Sequence, residues 1–261
     1  MACPIESSTS LPPGVSFSID ADRRSAPSDE LISLLVKFRE GYCWPSGQTP
    51  AESQKTILNL EEEVKAMMAT LETEKACAII TRVSNWGGNN ALSQREIEGA
   101  DTSTKQAMKE ALQKLNGTET LEKGLRALCA IPGINLVMAS KIYRFCFPDQ
   151  GAALDRHSSY FFNSLQKVTE DGTGTGATKF VREWSTARHK SSRLAIYTQA
   201  SLERALSEYL TVYLPLLRDI AASLNSRRDF YKSAVDNQSK EWRAADVEMA
   251  AYYWWSKHGP R

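Results

Sequence analysis

Apolar residues recur at three- and four-residue spacings along most of the chain, the periodicity of amphipathic helices. Leu31, Leu34, Leu35 and Phe38 follow Ser28 in that register. Thr49-Pro50-Ala51-Glu52 is a capping box with proline at the first helical position, and it opens a helix through Ile57, Leu60, Val64 and Met68. Ser103 with Gln106 starts another helix, which Asn116-Gly117 stops, and Thr120 begins one carrying Leu121, Leu125 and Leu128. Further helices are predicted over 136–147, 156–168, 178–189, 198–224 and 240–257. No stretch alternates with period two convincingly enough to predict a strand. The pattern predicts an all-α fold of two lobes over residues 27–261. Residues 1–26, rich in Ser, Pro and Asp, read as a loose, flexible arm. Asp171-Gly172-Thr173-Gly174-Thr175-Gly176 follows a helix and lacks a trailing Lys-Ser/Thr, so it reads as a connector and not a phosphate loop.

Composition narrows the chemistry. With 32 Lys+Arg against 31 Asp+Glu in 261 residues, the net charge is +1, and no global basic field advertises a nucleic acid. A local patch must supply one. Lys179, Arg182, Arg188, Lys190 and Arg193 stand against Glu183, with Trp184 and His189 among them. No apolar run reaches the ~18 residues of a membrane span. The first residues lack the basic start and apolar stretch of a signal peptide. A soluble, cytoplasmic monomer is expected. Cys3, Cys43, Cys77, Cys129 and Cys146 form no C-x-x-C pair, and there are 3 histidines, which argues against a disulfide framework or a metal site.

The informative segment runs from Leu121 to Phe162. Leu125, Leu128 and Ile131 share one helix face until Pro132 stops it. Ile131-Pro132-Gly133-Ile134-Asn135 predicts a tight hairpin with two positions, Gly133 and Asn135, suited to positive φ. A second helix starts at Leu136, and small Ala139 permits a close crossing. Backbone N–H groups at such a helix start can hold a phosphate without any side-chain charge.

In these residues the chain resembles the helix-hairpin-helix DNA glycosylases, the superfamily of endonuclease III and the adenine, 8-oxoguanine and alkylpurine glycosylases. Their hairpin L-P-G-V/I-G with a following Ala corresponds to Ile131-Pro132-Gly133-Ile134-Asn135 and Ala139. Their V-D-x-H context corresponds to Leu154-Asp155-Arg156-His157. The resemblance implies duplex DNA as partner, with Gly133, Ile134, Asn135, Leu136, Lys141, Arg156 and His157 toward DNA and Asp155 as catalytic carboxylate. It covers about forty residues. Val137 stands where lyase members carry their nucleophilic lysine, which implies a monofunctional enzyme without Schiff-base chemistry. The four-cysteine cluster of some members is missing, so no iron–sulfur cofactor is expected, while a monovalent cation at the hairpin is compatible.

The residues support that chemistry independently. Cleaving an N-glycosidic bond builds oxocarbenium-like charge on the sugar, which a fixed carboxylate stabilises. Asp155 also suits a helix N-cap, and the two roles can coexist. Lys141 reads either as a solvated helix lysine or as a phosphate contact. Trp86 and Asn89, in the Ser84–Asn90 loop, and Tyr42 with Trp44 are candidates for stacking on an extruded base. Two roles fit a glycosylase, repair of damaged bases or removal of modified bases from foreign DNA such as phage DNA. A non-catalytic, structure-specific DNA-binding protein is the competing reading, and an all-α interaction domain is a third.

Overall fold

The computed structural model describes residues 11–19, 25–44, 48–87, 96–97, 99–117, 119–168, 174–175 and 199–259. The protein is predominantly helical: α1 (Asp29–Glu40), α2 (Pro50–Ala69), α3 (Thr73–Trp86), α4 (Thr102–Lys114), α5 (Leu121–Cys129), α6 (Leu136–Cys146), α7 (Arg156–Ser164), α8 (Gln199–Glu208), α9 (Leu214–Ser226) and α10 (Ala244–His258). The helix starts follow local chemistry. Ser28 caps Leu31 N–H, and Thr49 and Glu52 form the reciprocal box at α2. Asp101, and not Ser103, caps α4, accepting from Thr104 N–H at 2.7 Å. A carboxylate at that position also complements the helix dipole.

Four expectations need correction. The run expected over 198–224 is interrupted by a π turn at Tyr209–Tyr213. Pro215 follows directly, and its missing N–H and ring displace the regular ladder there. The helix expected over 156–168 ends at Ser164, where Leu165 turns extended and Gln166–Val168 form a strand. The loose arm is structured in part. Ser16–Ile19 form β1, Ser25–Pro27 β2, Gln166–Val168 β3 and Gly174–Thr175 β4, in the order β2-β1-β3-β4. The β1–β3 pair is parallel, with Phe17 opposite Lys167. Phe17 in β1 and Val15 just before it are buried, so the start of this strand lays one face on the core. A second ribbon pairs β5 (Tyr231–Lys232) with β6 (Ser239–Lys240), and α10 therefore begins later than residue 240. The helix expected over 178–189, with its basic patch, lies outside the described residues.

Helix packing falls into two sets. α2, α3, α4, α5 and α6 pack on one another, while α1, α7 and α9 gather on α10, and α8 touches α5 and α6. A buried ion network ties the sets together. Arg39 meets Asp246 at 2.8 Å, and Arg243 bridges Asp246 at 2.9 Å and Glu61 at 2.8 Å. Arg144 reaches Glu61 at 2.9 Å. Burial opposes ionisation of Asp246, but Arg243 and Arg39 overcome it and hold the carboxyl well below the usual range.

Candidate active site

Between α5 and α6 the chain makes a type II turn, with Pro132 and Gly133 as its central residues. Ile134 N–H donates to Ile131 O at 3.1 Å, and Gly133 takes φ +80°. Proline presets the first central position, and the second requires the left-handed region that glycine enters freely. Asn135 does not share that region. It lies at φ −98° as the N-cap of α6, where its side chain accepts from Met138 N–H at 3.0 Å. Asparagine at this position, in place of a second hairpin glycine, thus serves for capping. Ile134 and Leu136 point into the core, and Leu136 at 0% exposure is shut from solvent. Leu136 therefore supports the turn from below and offers no surface of its own to a ligand. Gly133, Asn135 and Val137 remain partly exposed at this helix start.

The segment after α6 is locked onto that helix. Ser140 Oγ accepts from Leu154 N–H and donates to Val137 O, both at 2.8 Å. The π turn grips the same segment from the other side. Tyr209 Oη donates to Ala152 O at 2.7 Å, and Tyr213 Oη to Ala153 O at 3.0 Å. These bonds fix where Asp155 stands relative to the turn. Asp155 is the N-cap of α7, with Oδ1 accepting from His157 N–H at 2.8 Å. Its other oxygen, Oδ2, stands 3.9 Å from Lys141 Nζ. The carboxylate side chain keeps 18% exposure, enough to be met from outside.

Lys141 overturns its solvated-helix reading. It is 8% exposed and aims along α6 at Asp155, with its Nζ also 3.5 Å from Gly87 O at the end of α3. A buried ammonium needs such partners. His157 lies edge-on to Tyr252, its ring 5.2 Å away. The Arg156 side chain lies outside the described residues, as does Asn89.

The aromatic candidates come from distant segments and meet here. Trp44 donates from Nε1 to Trp86 O at 3.0 Å and packs edge-on to Tyr252 at 5.7 Å. Tyr42 lies 6.4 Å from the same Tyr252 ring. Trp86, one residue before the carbonyl that holds Lys141, packs on Phe145 at 4.7 Å. Tyr42, Trp44, Trp86, Lys141, Asp155 and His157 thus form one connected neighbourhood. A cavity of about 500 Å³ opens beside it, lined by Trp44, Gln48, Asn59, Arg82, Asn85 and Trp86. That size falls in the range of small-ligand pockets. Gln48 Oε1 and Trp86 Nε1 are buried there without a hydrogen-bond partner among the described residues. A larger cavity of about 880 Å³, bordered by Val15, Phe38 and Trp254, contains none of these residues, so the chemistry directs attention to the smaller one.

Two participants went unnoticed in the sequence, Tyr252 and Glu248, both on α10. Glu248 is buried, and burial with the nearby Asp155 charge pushes its carboxyl up to about 8. The available signal was a carboxylate inside the apolar run Val247-Glu248-Met249-Ala250-Ala251, with Tyr252 one turn further on the same face.

Among the described residues no group of three or more His, Cys, Asp or Glu is placed to hold a metal ion. No described helix is long and apolar enough to cross a membrane. The Cys129 and Cys146 thiols are pushed up to about 12 by burial, which makes them poor nucleophiles. No protein family, curated protein or solved structure matches the chain.

Proposed function

We propose that the protein is a monofunctional DNA glycosylase of the helix-hairpin-helix type. The observation that carries this reading is the chain of contacts that joins Trp44 and Trp86, through the adjoining Gly87 carbonyl and Lys141, to Asp155, from segments far apart in the chain. The two helix sets are read as the two lobes, with Asp155 on α7 and Lys141 on α6 facing each other at their seam. The α5–α6 turn supports a helix-hairpin-helix role, with the exposed N–H groups around Gly133 meeting a backbone phosphate. The extruded nucleotide enters beside Trp44 and Trp86. Asp155 then stabilises the oxocarbenium-like sugar and orients the attacking water as the base leaves with the bond's electron pair. Damaged bases in repair and modified bases in foreign DNA both fit this chemistry.

Lys141 is committed to Asp155 and the Gly87 carbonyl, and Val137 is a hydrocarbon, so neither is a nucleophile toward the sugar carbon. Duplex DNAs of differing base chemistry, incubated with the protein, are expected to release a free base identifiable by mass spectrometry. The abasic strand should stay intact until alkali or heat, and borohydride should trap no protein–DNA adduct. An adduct that vanishes in Lys141→Ala would remove the monofunctional label.

The turn carries its own expectation. Gly133→Val places a β-branched residue at φ +80° and is expected to weaken duplex binding about tenfold or more. Unchanged affinity in a folded variant, measured by fluorescence anisotropy, would remove the turn from the DNA interface.

A non-catalytic, structure-specific DNA-binding protein is the second reading, favoured by the capping role that Asp155 demonstrably fills. DNA binding without base release would establish it.

A further inference from the structure

Glu248 stands out among the carboxyls of this neighbourhood. It is 5% exposed, yet among the described residues neither of its oxygens receives a hydrogen bond or an ion pair. Asp246, two residues earlier on α10, is equally buried but is held by Arg39 and Arg243. A buried carboxylate without partners is among the costliest arrangements in a protein, so such a group keeps its proton.

The surroundings agree. The groups whose charge acts on Glu248, or that its charge acts on, are Lys141 and Arg144 on α6, Asp155 at the start of α7, Tyr42 before α2, Tyr209 and Tyr213 of the π turn, and Asp246 on its own helix. The two cations favour ionisation, but neither forms an ion pair with Glu248: Lys141 stands against Asp155, and Arg144 meets Glu61 through Nη2. Burial first, and the Asp155 charge second, push the Glu248 carboxyl up to about 8.

We propose that Glu248 serves this site as an uncharged carboxylic acid, a positioning residue whose neutrality leaves Lys141 committed to Asp155. The proposal rests on the reading of Asp155 as the glycosylase carboxylate. When Glu248 loses its proton, two carboxylates share one ammonium, and Lys141 is drawn away from Asp155. The added negative charge also opposes the DNA phosphates and the departing base, which carries the electron pair of the broken bond. Activity therefore ends on the alkaline side as Glu248 ionises.

The test has two arms, thermal unfolding and base release, each followed against pH in the wild type and in Glu248→Gln. In the unfolded chain the group ionises near 4.5, and in the fold near 8. Between those values the folded state holds the extra proton, so the group's contribution is fully present below 4.5 and is lost as pH rises through 8. Gln carries no proton, so its Tm relative to the wild type should climb by several degrees across that window. A constant offset between the two curves would overturn the proposal. If Glu248→Gln fails to fold, Glu248→Met, of similar length and uncharged, carries the same measurement.

In the activity arm, wild-type base release should fall above pH 8, while Glu248→Gln stays within about threefold of the wild type at neutrality and lacks that fall. A loss of about a hundredfold at every pH would instead make Glu248 a proton donor and overturn its positioning role. A climbing Tm difference in a protein that releases no base from any DNA would uphold the neutral Glu248 and sink the glycosylase reading.

Discussion

Asp155→Asn is expected to reduce base release by about a thousandfold or more while leaving the fold and DNA affinity largely intact. Asn retains an Oδ1 that accepts from His157 N–H, and Asn and Asp are comparable as N-caps. The backbone on which residue 155 sits is held independently, by Ser140 at Leu154 N–H and by Tyr209 and Tyr213 at the carbonyls of Ala152 and Ala153. What disappears is the negative charge facing the developing oxocarbenium-like sugar. Lys141 also loses its carboxylate and keeps only the Gly87 carbonyl, so a modest drop in Tm should accompany the change. Combining Asp155→Asn with Lys141→Met should recover much of that drop without recovering turnover, which separates a stability effect from a chemical one. Near-normal base release by Asp155→Asn would reduce Asp155 to a cap.

The helical periodicity made most of the fold legible, because α1, α2 and α6 carry side-chain caps and α5 a clean apolar stripe. The strand Ser16–Ile19 was missed for a physical reason. It is four residues long, and the pairing that stabilises it, with Gln166–Val168, comes from far along the chain. The π turn was equally hidden, although Pro215 marks its neighbourhood. Within the site, the Pro-Gly turn and the capping Asp155 are local features and could be read locally. The burial of Lys141 could not, since its partners, Asp155 and Gly87, lie on other elements. Glu248 and Tyr252 were concealed in the same way, because a carboxylate in an apolar helix declares itself only when the opposing helices are known.

That dependence makes the frame as important as the reacting groups. α10 carries Glu248 and Tyr252, and its N-terminal turn is anchored by Asp246, which Arg39 of α1 and Arg243 both contact. Through Arg243 and Glu61 the anchor reaches α2, and through Glu61 it reaches Arg144 on α6, the helix of Lys141. The seam between the helix sets is therefore defined by charge as well as by packing. An apolar contact tolerates sliding, whereas a network of directional guanidinium–carboxylate pairs specifies one arrangement.

Removing the centre of that network should have the largest effect on stability. Asp246→Ala leaves Arg39, 3% exposed, and Arg243 without their shared carboxylate, and it strips the cap interaction at Arg243 N–H. Breaking one partner out of a buried pair typically costs about 3–5 kcal/mol, because the remaining charge stays buried without compensation. For a chain of this size that corresponds to a fall in Tm of roughly 10 °C. The acid dependence follows from the same pairing. The Asp246 carboxyl is held below its ordinary value of 3.8, so its contribution is complete above that pH and is lost only on further acidification. The difference between wild type and Asp246→Ala should accordingly stay constant from neutral pH down to about the ordinary carboxylate range and shrink below it. A loss under about 1 kcal/mol would mean that water reaches the two guanidinium groups. α10 would then be held by the packing of its apolar residues, among them Val247, Met249, Trp254 and Trp255.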